Sequence, residues 1–203
     1  MCNDFEQNIA WAAYRAAMRE ADLAIVEWQG ESDLPRAADV HIGDTAPVAR
    51  QAGDVVELRP MRFGIRTSKM ARNPIFNLRS EGRRFVDSHR CLIPASAFFE
   101  FTGSSYPKTK HRFSLSDSPV MGIAGIWREG DGNQPAAFAM LTTAPSRDVA
   151  PIHNRQVVVL RPQDWRAWLE LSRPEKELLQ PLPAGALTVE MVRKGAAEEP
   201  SLI

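Results

Sequence analysis

RCLIPASAFFEF, residues 90–101, is the stretch on which the fold turns. It closes a longer strand-like run, FVDSHRCLIPASAFFEF, at 85–101. Side chains on a strand alternate between its two faces. Phe99 and Phe101 therefore share one face, and Phe98 shares the other with Glu100. A carboxylate among aromatic rings has its pKa pushed up, because burial disfavours the charge. Such a group can carry protons near neutral pH. The plainer reading is a surface glutamate at a strand end, and residue type alone favours it. Cys91, inside the apolar CLIPA, reads as a small buried hydrophobe.

Working outward, similar runs recur on both sides. DVVELRPMRFGI, HRFSLSD, VMGIAGIWRE, AAFAMLTTA, RQVVVLRP and ALTVEMV are strand candidates separated by turn residues such as GDGN and SDSP. PQDWRAWLELS and PEKELLQPL read as short helices near the end. In the N-terminal DFEQNIAWAAYRAAMREADL, Phe5, Ile9, Ala12, Ala13, Ala16 and Ala17 fall at helical spacing, with Asn3 or Asp4 as the cap. QGESDLPRAADVHIGDTAP reads as an irregular connector. Strands outnumber helices, and no regular βαβ alternation occurs. The class is α+β with a mainly antiparallel core. A length of 203 residues suggests one domain over 1–203, ending in a polar tail at 195–203. There is no internal repeat.

Composition excludes several classes. No apolar run reaches the length of a membrane span, and the charged N-terminus does not read as a signal peptide. Cys2 and Cys91 cannot build a disulfide framework, and the four histidines show no zinc-type spacing. A reducing cytoplasm is expected, and neither metal nor organic cofactor is implied. Net charge is zero, but it is unevenly spread. Residues 1–58 carry 4 basic and 11 acidic side chains, residues 59–112 carry 12 and 3, and residues 113–203 carry 9 and 11. Twenty of the 25 basic residues are arginine. A planar guanidinium suits phosphate, so a polyanion-facing groove stands beside plain compositional bias as a reading of the middle segment.

Three further places do not read as plain core. NPIFNLRSEGRRF, at 73–85, sets Asn77 and Arg79 directly against apolar neighbours. Asparagine can hold a reacting polar atom as donor and acceptor, and arginine can grip a phosphate. APIHNRQVVVL, at 150–160, places His153 just before a strand, with Arg155 two residues on. An isolated histidine is more often structural than catalytic. Finally, Cys2 follows Met1. Trimming of Met1 is expected before a small residue, and it would leave Cys2 with a thiol and a free α-amine two carbons apart. The bland alternative is an unselected, disordered terminus.

Together these segments resemble the SRAP (SOS response-associated peptidase) domain family. The carriers are MC at the start, TAP at 45–47, Phe63 with Gly64, NLRSE at 77–81, SHRCLIPASAFFEF at 88–101, GIW at 125–127, FAMLTTAPS at 138–146 and IHNR at 152–155. Their order and spacing carry the resemblance, strongest over residues 1–170. It implies a barrel-like antiparallel core flanked by helices and a positively charged DNA groove. It also implies capture of abasic sites in single-stranded DNA through Cys2, with Asn77, Glu100 and His153 as the other working residues. Arg79, with Arg84 and Arg155, is expected on the DNA backbone. Phe63 is a candidate to stack on a base beside the lesion, against the plainer reading of a core phenylalanine. A monomer is expected. Two alternatives stand beside this: a cysteine-dependent peptidase removing residues ahead of Cys2, and a non-covalent single-strand binder. Family members commonly begin Cys-Gly-Arg, whereas Asn3 and Asp4 follow Cys2 here.

Overall fold

Strand alternation and short turns build two sheets, seen in a computed structural model that describes residues 2–24, 36–66 and 73–196. Met1, part of the connector and the end of the polar tail lie outside the described residues. The five-stranded sheet has the order β13-β8-β7-β1-β2. Its members are β1 (Asp4–Gln7), β2 (Ala37–His41), β7 (Ala97–Thr102), β8 (Thr109–Leu115) and β13 (Leu187–Arg193), and every pairing is antiparallel. The larger sheet has eight strands. It contains β3 (Thr45–Ala52), β4 (Val55–Phe63), β5 (Asn77–Arg79), β6 (Arg90–Ala95), β9 (Met121–Arg128), β10 (Ala137–Thr143), β11 (Gln156–Val157) and β12 (Val159–Leu160). Among the described residues the helices are α1 (Trp11–Glu20), α2 (Pro162–Glu170) and the single turn α3 (Glu175–Leu178).

The chain is thus a mixed α+β domain with a large, mostly antiparallel sheet flanked by helices. The expected barrel is corrected to this coarser form. β9 and β10 pair with each other, but β10 meets β4 only through Ala137↔Arg62 and Phe138↔Phe63, and in parallel. That seam is too short to make a barrel with a continuous ladder.

One apolar cluster lies between the sheets and contains Phe5, Phe63, Phe98, Phe113, Phe138 and Cys2. A second joins the larger sheet to α1 and α2 through Tyr14, Met18, Leu92, Leu141, Trp165 and Trp168. The glycines of MGIAGIWR are needed for this packing. A Cβ on Gly122 would stand 2.6 Å from Trp165 Nε1, and one on Gly125 would stand 2.5 Å from Ile93 Cδ1 and 2.8 Å from the Ala139 carbonyl oxygen. Arg90 closes the C-terminal end of α2, donating to the Trp168 carbonyl at 3.0 Å and the Leu169 carbonyl at 3.1 Å. A cation suits that end of a helix, where carbonyls lack partners. Among the described residues no helix is long and apolar enough to cross a membrane.

Three local readings change. The predicted N-terminal helix starts only at Trp11, because Asp4–Gln7 is extended between β2 and β7. Phe5 is buried against Phe63 and Phe138 rather than on a helix face. Tertiary pairing overrides the Phe5–Ile9 spacing. The connector yields β2 and the start of β3 where it is described. Asn77–Arg79, taken from a polar stretch, forms a short strand parallel to β10.

Candidate active site

Cys2 and Asn3 lead into β1, the strand between β2 and β7, and the fold carries Cys2 into the interior. Cys2 is 1 % exposed. Its thiol donates to the Asp4 carbonyl at 3.2 Å, and its own carbonyl accepts from Asn77 Nδ2 at 2.6 Å. Burial raises the thiol pKa strongly, and the Glu100 charge adds to that, so Cys2 is a thiol at neutral pH. Asn77 reaches Cys2 from β5, whose register against β10 sets Asn77 opposite Met140. The other amide atom, Asn77 Oδ1, is buried and has no donor among the described residues.

Glu100 comes from the centre of β7 and is 1 % exposed. The expected alternation holds. Lys110 Nζ lies 3.7 Å from the Phe99 ring centroid and 5.9 Å from that of Phe101, so those two rings share a face. Burial pushes the Glu100 carboxyl up to about 7, as its aromatic neighbourhood predicts. His153 Nε2 stands 3.7 Å from Glu100 Oε2. His153 follows a turn in which its N–H donates to the Val149 carbonyl at 2.9 Å. Its Nδ1 lies 3.0 Å from the Arg155 N–H and 2.8 Å from the Arg155 carbonyl. When Nδ1 accepts from that N–H, Nε2 carries the ring proton and presents it to Glu100. Burial holds the His153 pKa below its ordinary value, against the pull of the Arg155 carbonyl.

The structure therefore brings together Cys2, Asn77, Glu100 and His153, four residues from separate segments. Arg79 stands exposed on β5, two residues beyond Asn77. Arg84 is exposed in a separate groove of about 790 Å³ with Arg83, Arg173 and Lys176. Two expectations are corrected. Phe63 is fully buried, stacked on Phe138 with centroids 5.1 Å apart, so no base can reach its ring. Arg155 has its guanidinium committed to Glu81 at 2.6 and 2.8 Å and to Thr142 Oγ1 at 3.1 Å. It braces the His153 loop instead of facing solvent.

Nor do the described basic residues of the middle segment make one groove. Arg59 pairs with Glu129, Arg112 with Glu6, Arg90 caps α2, and Lys110 is buried against Asp4 and Asp39. The cavity at the site, of about 270 Å³, is lined by Asn3, Glu100, Phe101, Tyr106, Lys108, His153 and Arg193. Sequence reading passed over Tyr106, Lys108 and Arg193. Lys108 was visible only as one charge among many, and Arg193 arrives through the pairing of β13 with β8. Among the described residues, no three His, Cys, Asp or Glu side chains sit together as a metal site would need.

Fold and site thus define a mixed α+β domain in which a buried cysteine at position 2 lies beside buried Glu100 and half-buried His153. A crystal structure of a protein from Bacteroides thetaiotaomicron shares this fold, with a TM-score of 0.72 over 93 % of this chain and 92 % of that one at 20 % identity. The model of the SOS response associated peptidase (SRAP) family matches residues 1–197, and the chain belongs to that family. The abasic site processing protein YoqW of Bacillus subtilis is 32 % identical over 105 residues, 49 % of this chain and 46 % of that protein. The abasic site processing protein YobE of the same organism is 31 % identical over 122 residues, 58 % of this chain and 52 % of that protein. The chain spans about half the length of these relatives.

Proposed function

We propose that this chain, acting as a monomeric SRAP-type unit, captures abasic sites in single-stranded DNA by a covalent bond to Cys2. The observation that carries the reading is the convergence on one residue. Asn77 grips Cys2 at 2.6 Å, while a buried carboxyl with a pKa of about 7 faces His153 at 3.7 Å beside it. The names of the similar Bacillus proteins support the substrate class.

Removal of Met1 frees the Cys2 amine, whose pKa near ~8 leaves part of it neutral at pH 7. The ring-opened sugar offers an aldehyde. Amine and aldehyde form a C–N bond, lose one water and give an imine. The Cys2 sulfur then adds to the same carbon, and the thiol proton ends on the nitrogen. The product is a five-membered thiazolidine, and proximity makes the second addition intramolecular. Glu100, poised near neutrality, donates a proton to the departing water, recovers it from the protonated nitrogen as the imine forms, and then relays the thiol proton to that nitrogen as the C–S bond forms. His153 Nε2 holds the sugar hydroxyl. Asn77 Oδ1 accepts from the amine and orients it. Arg79 meets a phosphate, so affinity falls as salt rises.

Met1-processed protein mixed with a single-stranded oligonucleotide containing an abasic site, then run on a denaturing gel, tests this. A shifted band is expected, absent in Cys2→Ala and formed about 100-fold more slowly in Glu100→Gln. An equal band in Cys2→Ala, or mass spectrometry finding Met1 retained in cells, would overturn it. Peptide release without a band would favour a peptidase, and salt-sensitive binding without any adduct a non-covalent binder.

A further inference from the structure

Tyr106 is 84 % exposed, more than any other large apolar side chain among the described residues. One exposed aromatic is ordinary on any surface. Its position is what matters, because Tyr106 lines the same cavity as Glu100 and His153, together with Lys108 and Arg193. Lys108 Nζ lies 5.6 Å from the Tyr106 ring centroid, and most of the ring remains open to solvent. Arg193 donates from Nε to the Lys108 carbonyl at 3.3 Å. The backbone beneath is clamped. The Gly195 N–H donates to Thr109 Oγ1 at 2.9 Å, and the Ala196 N–H donates to the Pro107 carbonyl at 2.8 Å. One aromatic face and two cations thus line the cavity, Tyr106 and Lys108 from the β7–β8 loop and Arg193 from the end of β13.

We propose that Tyr106, Lys108 and Arg193 form a nucleotide subsite, in which the Tyr106 ring stacks on the base next to the lesion and the two cations meet the adjoining phosphates. The proposal rests on the abasic-site reading above and deepens it. A sugar without a base offers nothing to stack on, so grip and register must come from its neighbour. An aromatic face accepts any base, which makes the subsite tolerant of sequence. The buried Phe63 leaves this role open, and Tyr106 lies where it can be filled.

The test uses Met1-processed protein and single-stranded oligonucleotides with one abasic site. The neighbouring nucleotide, on each side in turn, is either ordinary or a base-less tetrahydrofuran spacer. For the wild type, the spacer on the stacked side is expected to raise the half-saturating DNA concentration about tenfold, with a much smaller change in adduct rate at saturation. Tyr106→Ala shows that rise with the ordinary oligonucleotide and no longer responds to the spacer, and Tyr106→Trp restores both behaviours. Lys108→Met and Arg193→Met each flatten the dependence of log affinity on log salt by roughly 0.7. Circular dichroism checks that the variants fold. If the wild type forms adduct and Tyr106→Ala responds to the spacer as the wild type does, the subsite is wrong and the parent reading stands. If the wild type forms no adduct with any oligonucleotide, both fall.

Discussion

The two sheets bury very different side chains. Among the described residues, the charged side chains that are buried are Asp4, Glu100 and Lys110, and all three lie on the five-stranded sheet. The eight-stranded sheet buries Cys91, Leu92, Ile93, Ile123, Ala124, Phe138 and Leu141, with glycines fitted beneath Trp165 and Ile93. One sheet follows the rules of a stable core, and the other breaks them where Cys2 enters. Buried charge contributes little to net stability, so the larger sheet and its helices supply most of it. Departures from packing rules of this kind are expected at a site that does chemistry. Asp4, where family members commonly carry arginine, turns inward to Lys110 at 2.7 Å.

Removing one partner of that pair should break the contrast most severely. Lys110→Met leaves Asp4 buried without its cation and should cost about 3–5 kcal/mol, read as a lower urea midpoint at unchanged slope. A shift close to zero would mean that the pair is solvated. On the apolar side, Gly125→Ala forces a methyl against Ile93 and the Ala139 carbonyl, and should cost about 3 kcal/mol in the same assay. Glu100→Gln sharpens the comparison in the opposite direction. Burial raises this carboxyl from 4.5 to about 7, so the fold favours its neutral form. Its contribution is therefore full below pH 4.5 and is lost as pH climbs through about 7. The amide has no charge to bury. The variant should be more stable than the wild type by on the order of 2 kcal/mol at pH 8 and equal to it at pH 4. A variant less stable at pH 8 would contradict the burial account. The smallest effect belongs to Arg59→Ala. It removes the exposed pair with Glu129 and should leave the melting temperature within error, as surface ion pairs commonly do.

Most strand runs of the middle and C-terminal chain lie where alternation and turn residues place them, and α2 and α3 fall within their predicted segments, but the run at 85–101 begins only at Arg90 and divides at Ser96 into β6 of the larger sheet and β7 of the smaller. Other errors gather at the N-terminus. There Phe5 and Ile9 mimic a helix, while the empty position between β2 and β7 takes the segment as a strand. At the site, the aromatic setting of Glu100 was readable because it comes from adjacent residues. The meeting of Cys2 with Asn77, Glu100 and His153 was not, since no local pattern links them, and only the family resemblance set them side by side.

By itself, the sequence determined the α+β class, most strand positions and the chemical character of Cys2, Glu100 and His153, because alternation and residue chemistry act over a few bonds. Only the tertiary structure decided which way ambiguous side chains face. It buried Phe63 against Phe138, tied Arg155 to Glu81, and brought Tyr106 and Arg193 to the cavity beside Glu100. Burial and pairing depend on strands that meet across the fold, and residues distant along the chain carry no local mark of which will meet.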